Sequence, residues 1–263
     1  LEARLNNTFS GGRVRQEWRD VVGVDPRAWN PDPKLPQQTL TEDELKKVAT
    51  GCWFAVYAFG YNWLQSNGDS AKIIAQRINK VIDDLNGSGY QCKQVIVVTH
   101  SMGGLVGRAL VHPAYGNLQD KVLGIVHGVM PAIGAPAAYK RMRAGFEDPG
   151  MLSGPQESLA AKVAGNYGDE VTAVLANAPG ALQLLPTESY GNGWLRVRHK
   201  GRDLETWPKQ GDPYREIYKL RGKWYSLFRE DWINPSGYTP KQGGGTFERT
   251  CGYLDKVQQF HRT

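Results

Sequence analysis

The feature that most constrains this chain is a buried strand that leads directly into a glycine-rich helix, with one serine at the corner. Residues 94–99 read Gln-Val-Ile-Val-Val-Thr, an apolar run typical of a strand buried on both faces. Residues Met102 to Val111 then read as a helix of small and apolar residues. A nucleophile elbow needs this order, because the sharp turn exposes the serine hydroxyl above the sheet. We therefore predict that Ser101 is a catalytic nucleophile and that the N–H of Met102 binds the oxyanion.

An alternative interpretation is that Ser101 only caps the following helix. The usual elbow pattern is Gly-x-Ser-x-Gly, and here Thr99 replaces the first glycine, which tightens the turn without excluding it. The preceding strand, His100 and the pair Gly103-Gly104 all fit the context of an elbow. Together, these features favour the interpretation of Ser101 as a nucleophile over its interpretation as a helix cap.

Strands and helices alternate around this motif. The apolar run from Cys52 to Phe59 predicts a buried strand, residues Asp69 to Asn86 predict an amphipathic helix, and residues Lys121 to His127 predict a further strand. Strand–helix–strand repeats at this spacing imply right-handed crossovers and a mostly parallel sheet with helices on both faces. The predicted fold class is therefore α/β.

The second half of the chain has a different composition. From Ile133 to Ala181 it is rich in Ala, Gly and Pro, which fits either a moving lid or a plain cap. Residues 194–207 predict a hairpin that turns at Lys200-Gly201. The aromatic residues from Trp194 to Trp232 either form a lipid-facing surface or fill the core of the cap.

Composition and charge exclude several classes of protein. The 263 residues include 8 Trp, 12 Tyr and 7 Phe, which excludes general disorder. No run of about 18 apolar residues occurs, so no transmembrane helix is predicted. The formal charge of +6 is compatible with an anionic lipid surface, but no Lys/Arg block is long enough to favour nucleic acid. Three widely spaced cysteines indicate neither a disulfide framework nor a zinc site, and we expect no metal or other cofactor.

Several motifs of the chain resemble those of α/β-hydrolase lipases. The sequence His100-Ser-Met-Gly-Gly after an apolar strand is typical of these lipases. The wider chain resembles the branch that contains GPI-inositol deacylases and lecithin–cholesterol acyltransferase. The segments similar to patterns of that branch are Met130-Pro-Ala-Ile-Gly-Ala-Pro, Leu184-Leu-Pro and Tyr61-Asn-Trp. Over residues 50–235 the chain most resembles bacterial lipase effectors of the type VI secretion system.

This resemblance implies an α/β-hydrolase fold with a cap or lid insertion, and a serine lipase or phospholipase that forms an acyl-enzyme on Ser101. It also implies an antibacterial effector, secreted by the type VI system, that acts in the envelope or periplasm of a target cell. The implied partners are the membrane phospholipid substrate, an immunity protein and the secretion machinery, with no nucleic acid. Two alternatives remain: an acyltransferase of the same fold, and a non-catalytic binding module.

The chain departs from the branch at two places. Ala132 replaces a histidine, and the chain opens at Leu1-Glu-Ala, a segment that in the branch comes just after the oxyanion loop. We therefore expect the first core strand and the second oxyanion donor to lie upstream. On this basis we predict a hydrolase core in residues 1–135, a cap or lid in residues 136–240, and a return to the core in residues 241–263.

The triad order Ser, acid, His requires both further members downstream of Ser101. His261 is the only histidine late enough to follow all the candidate acids, so it is the one candidate base in the chain, although residues 254–261 read as a helix. His127 ends a strand at the catalytic edge but precedes any plausible acid. The remaining histidines are interpreted as structural or exposed: His100, His112 and His199. The acids, none of them preferred, are Glu147, Asp148, Asp169 and Asp203. The alternative is that base and acid both lie outside these residues.

Overall fold

The computed structural model describes residues 1–29, 34, 38–146 and 165–263. These divide into two units, Leu1–Gly60 and Tyr61–Thr263. The α-helices are α1 (Glu2–Asn6), α2 (Gln16–Arg19), α3 (Glu42–Gly51), α4 (Asn67–Gly87), α5 (Gly103–Val111), α6 (Pro136–Ala144), α7 (Gly168–Leu175), α8 (Pro179–Leu182), α9 (Glu230–Ile233) and α10 (Phe247–Arg262). The strands are β1 (Phe9–Ser10), β2 (Arg13–Val14), β3 (Val95–His100), β4 (Val122–Gly128), β5 (Leu195–His199) and β6 (Arg202–Trp207). No helix in the described ranges is long and apolar enough to cross a membrane.

The first unit is built from short elements that side-chain hydrogen bonds hold in place. β1 and β2 pair antiparallel. α3 begins at a capping box, in which the hydroxyl of Thr41 accepts from the N–H of Glu44 (3.2 Å) and the carboxylate of Glu44 accepts from the N–H of Thr41 (2.9 Å). Two N–H groups that the helix cannot pair internally are thereby satisfied, which fixes its first turn.

The predicted strand at residues 52–59 is not formed. In this segment the N–H of Phe54 donates to Oδ1 of Asn6 (2.8 Å), and the N–H of Val56 donates to a carboxylate oxygen of Glu2 (2.7 Å). Trp53 is 63% exposed. Side chains of α1, rather than a neighbouring strand, satisfy this backbone, so an apolar run alone does not make a sheet strand.

The second unit contains the predicted strand–helix–strand arrangement. β3 and β4 are parallel, with His100 opposite Gly128, and α5 connects the two strands and packs on both. α4 packs on α5, and its buried apolar residues recur every three or four positions: Ala71, Ile74, Ile78 and Ile82. α4 begins two residues earlier than the sequence predicts, and Gly87 belongs to its last turn. The α/β class and the parallel pairing are confirmed.

One hydrophobic cluster holds the second half of the chain together, from Tyr139 in α6 to Val257 in α10. Its fully buried side chains include Val171, Leu182, Leu185, Ile217 and Leu254. Residues 147–164, at the middle of the predicted lid, lie outside the described residues, as do the candidate acids Glu147 and Asp148. The helices α6, α7 and α8, which belong to the predicted lid segment, all contribute side chains to the cluster.

The predicted hairpin and the aromatic-rich region lie between residues 194 and 232. β5 and β6 pair antiparallel, with His199 opposite Arg202 around the turn at Lys200-Gly201, which confirms the hairpin. The aromatic residues of this region that are buried in the hydrophobic cluster are Trp207, Tyr214, Tyr218 and Phe228. Trp224 is instead 64% exposed. The interpretation as a packed core is therefore right for most of this region.

Candidate active site

Ser101 occupies the turn between β3 and α5. Its φ is 51°, in the left-handed region that residues other than glycine rarely adopt. The N–H of Ser101 donates to the carbonyl of Gly128 (2.9 Å), and the carbonyl of Ser101 accepts from the N–H of Gly104 (2.9 Å), so hydrogen bonds fix the turn on both sides. The side chain is exposed. A strained, exposed serine between a strand and a helix has the geometry of the elbow that the sequence predicts.

The glycines of α5 let this helix approach the strand ends. A Cβ atom at Gly104 would lie 2.4 Å from Cγ of Met130, and one at Gly107 would lie 3.0 Å from Cγ2 of Thr99. Thr99 replaces the first glycine of the usual motif, and its hydroxyl is 2.7 Å from Nδ1 of His127. Because Gly107 leaves room for the methyl group and His127 pairs with the hydroxyl, the structure accommodates the departure at Thr99.

Met102 precedes the first residue of α5. Its side chain is buried at 8% exposure, and its N–H donates to no backbone acceptor among the described residues. The N–H groups at the start of a helix have no hydrogen-bond acceptor within the helix, and they carry a partial positive charge. An N–H in this position can donate to an oxyanion that develops on a group attached to Ser101.

Among the described residues, no histidine forms a hydrogen bond with Ser101. The hydroxyl of Ser101 has no hydrogen-bond partner among the described residues, and His127 pairs with Thr99 instead. His261 lies near the end of α10, where Nε2 is 2.9 Å from the carbonyl oxygen of Gln183. Burial lowers the pKa of His261, which favours the neutral ring. The predicted candidate base is therefore engaged away from the nucleophile.

The two candidate acids within the described residues, Asp169 and Asp203, have local partners or are exposed. Asp203 in β6 binds the guanidinium groups of Arg198 (2.5 Å) and Arg196 (3.4 Å). The hydrogen bond from Arg198 lowers the pKa of Asp203. Asp169 is exposed in the first turn of α7. Neither carboxylate is hydrogen-bonded to a histidine among the described residues, so neither orients a base in this structure.

Comparison with known proteins supports the interpretation of the fold. The family described as PGAP1-like alpha/beta domain matches residues 39–147. The whole structure is similar to a chain in the crystal structure of the Tle4–Tli4 complex, with a TM-score of 0.78 and 32% sequence identity. That similarity covers 99% of this chain and 51% of the other, so this chain spans about half the length of its structural neighbour. The chain has an α/β-hydrolase fold. None of the curated proteins compared with it matches.

A cavity of about 360 Å³ lies elsewhere in this α/β-hydrolase fold, and neither Ser101 nor Met102 lines it. It is bounded by the start of α4, by α8 and by α10, and its lining residues are Gln65, Ser66, Asp69, Pro179, Gln183, Tyr253, Lys256 and Val257. The described residues contain no group of three or more His, Cys, Asp or Glu side chains that could hold a metal ion. The candidate nucleophile thus lies at an exposed strand edge of the hydrolase fold and not in this cavity.

Two further residues lie at the elbow. The hydroxyl of Tyr61 would be 3.8 Å from a Cβ atom at Gly103, and the Tyr61-Asn-Trp motif is the sequence signal for it. Val129 follows β4 with a φ of 47° and is 77% exposed. The sequence does not predict the positive φ of Val129, because β-branched residues avoid the left-handed region and no neighbouring residue indicates a turn that requires it.

Proposed function

We propose that this chain is a serine ester hydrolase for lipid esters, a lipase or phospholipase, with Ser101 as its nucleophile. The observation that carries the proposal is the geometry of Ser101, which has a φ of 51° and an exposed side chain between a parallel strand and a glycine-rich helix. Such a turn stabilises the fold less than an unstrained one would, and it presents a hydroxyl to solvent. The similarity to PGAP1-like domains and to the Tle4–Tli4 structure supports hydrolase chemistry.

In the proposed reaction, Oγ of Ser101 attacks the carbonyl carbon of the ester while its proton passes to a general base. The carbonyl oxygen becomes an oxyanion, to which the N–H of Met102 donates. Collapse of this intermediate releases the alcohol, which takes the proton from the base, and leaves an acyl-enzyme. Water then releases the fatty acid and restores Ser101. The base, the acid and the second oxyanion donor are not assigned to residues, because no described histidine contacts Ser101.

We further propose that the substrate is membrane phospholipid and that the protein is an antibacterial effector. It would be secreted by the type VI system and would act in the envelope or periplasm of a target cell. The similarity to the Tle4–Tli4 complex supports this role, and the presence of a second protein in that complex supports an immunity partner. The formal charge of +6 favours contact with an anionic lipid surface. The division into a core (1–135), a cap (136–240) and a return to the core (241–263) belongs to the same proposal.

One observation favours a second candidate, a non-catalytic binding module that keeps the hydrolase fold. The hydroxyl of Ser101 has no base within hydrogen-bond reach among the described residues, and a serine without a base is a weak nucleophile. The two candidates differ in one measurable property, the reactivity of Ser101 toward electrophiles.

A fluorophosphonate probe, read by intact mass, measures that reactivity. We expect one adduct on the parent chain and on Ser236→Ala, and none on Ser101→Ala. Ser236 is the matched control, because it is an exposed serine outside the elbow. A parent chain that forms no adduct contradicts an activated serine and favours the binding module. Product analysis with and without an added alcohol then separates hydrolysis from acyl transfer.

A further inference from the structure

Val129 lies beside Ser101 at the carboxyl edge of the two strands. His100 at the end of β3 is opposite Gly128 at the end of β4, and the N–H of Ser101 donates to the carbonyl of Gly128 (2.9 Å). In a parallel pair, the residues that follow two opposed positions are neighbours. Ser101 and Val129 therefore leave the sheet side by side.

The backbone of Val129 is strained, and packing within the described residues does not explain why. Its φ is 47°, which brings a β-branched side chain into conflict with its own backbone. The side chain is 77% exposed, so it gains little from burial. The other non-glycine residues with positive φ in the described ranges are Ser101, Asn117 and Lys200. Asparagine tolerates this region and Lys200 is at a hairpin turn, so Val129 is the exception.

The chain segment that follows Val129 is apolar. Residues 129–133 read Val-Met-Pro-Ala-Ile, without a charge, and Ile133 is 44% exposed. The side chain of Met130 packs on Gly104, where a Cβ atom would meet its Cγ at 2.4 Å. Met130 is thus held against α5, while Val129 projects outward next to the nucleophile. A strained residue with an exposed apolar side chain at a reactive group indicates contact with an apolar part of the ligand.

We propose that Val129 contacts the first carbons of the acyl chain of the ester that Ser101 attacks and favours an alkyl chain over a single methyl group at this position. This inference rests on the function proposed above. Because Val129 leaves the sheet beside Ser101, the carbons next to the ester carbonyl lie over it. An alkyl chain there removes apolar surface of both partners from water, and a single methyl group removes much less. Val129 is therefore a specificity-determining residue, and no proton or bond change involves it.

The test compares two fluorophosphonates with the same leaving group, a short one carrying a methyl group and a long one carrying a dodecyl chain. The readout is the ratio of the second-order labelling rate constants, long chain over short chain. We expect Val129→Asn and Val129→Gly, which both suit a positive φ, to lower this ratio about tenfold, the usual effect of losing one apolar contact in a hydrophobic subsite. Lys200→Gly, which also replaces a residue with a φ of 47°, should leave the ratio unchanged.

The outcomes separate this inference from the proposed function. A parent chain that is labelled, with an unchanged ratio in both Val129 variants, overturns the acyl-chain contact and leaves Ser101 as the nucleophile. A parent chain that neither probe labels overturns both claims. Melting temperatures of the variants provide the second readout. If Val129→Asn and Val129→Gly both lower the melting temperature by several degrees without a change in the ratio, Val129 is a packing residue and the inference is wrong.

Discussion

The carboxyl edge of β3 and β4 differs from the hydrophobic cluster of the second half in side-chain burial and in backbone conformation. In the cluster, Leu254 and Tyr218 are fully buried, and the hydroxyl of Tyr218 donates to the carbonyl of Pro186 (2.7 Å). At the strand edge, Ser101 and Val129 have positive φ and exposed side chains. Tyr218 in the cluster is both buried and hydrogen-bonded, whereas the edge keeps strain that the surrounding hydrogen bonds hold in place. This difference teaches that residues with unfavourable backbone conformations are expected at functional sites, and not in a packed core.

The largest effect on stability is expected in the cluster. Leu254→Ala removes a fully buried side chain and should lower the free energy of unfolding by about 3 kcal/mol, because it loses apolar burial and leaves a cavity. Leu204→Ala is the matched control, since Leu204 is 61% exposed and should change stability by less than about 0.5 kcal/mol. Urea unfolding measures both values. Equal effects of the two substitutions would remove the distinction between cluster and surface.

An intermediate effect is expected where α5 touches the strand ends. Gly104→Ala places a methyl group 2.4 Å from Cγ of Met130, so the helix or Met130 must shift, at about 2 kcal/mol. The nearest atom to a Cβ at Gly103 is 3.8 Å away, so Gly103→Ala should be neutral or slightly stabilising. Thermal unfolding and fluorophosphonate labelling are measured on both variants. We expect Gly104→Ala, and not Gly103→Ala, to lower both the melting temperature and the labelling rate. Larger losses in Gly103→Ala than in Gly104→Ala would contradict this packing.

A smaller effect is expected from pH at His261. Burial lowers its pKa below the ordinary value of 6.5, so the unfolded chain takes up this proton at a higher pH than the folded chain does. The contribution of His261 to stability is complete above about pH 6.5 and is lost as the pH falls toward the lower folded pKa. His261→Gln should therefore flatten the decline of the melting temperature below about pH 6.5.

The control for this pH effect is His199→Gln, because His199 is exposed in the hairpin. It should retain the pH dependence of the parent chain. Parallel melting curves for the parent chain and His261→Gln across this pH range would show that the pKa of His261 is the same in the folded and unfolded states.

The sequence predicts local elements well and long-range relations poorly. The run Val-Ile-Val-Val, the glycines of α5 and the turn at Lys200-Gly201 each specify their element through short-range chemistry, and the structure has all three. The segment 52–59 has the composition of a strand, yet its backbone N–H groups donate to the side chains of Asn6 and Glu2, which are distant in sequence, and these hydrogen bonds decide its conformation. The surroundings of His261 also depend on a distant group, the carbonyl of Gln183.

The most direct test of a strained nucleophile at Ser101 is the stability of Ser101→Gly relative to Ser101→Ala, measured by thermal unfolding alongside fluorophosphonate labelling. Both variants lose the hydroxyl, but only glycine adopts a φ of 51° without strain. The account predicts that neither variant is labelled and that Ser101→Gly is more stable than Ser101→Ala by about 1 kcal/mol, a shift of roughly 3 °C. If Ser101→Ala is the more stable variant, or if either is labelled as fast as the parent chain, Ser101 is not a strained nucleophile.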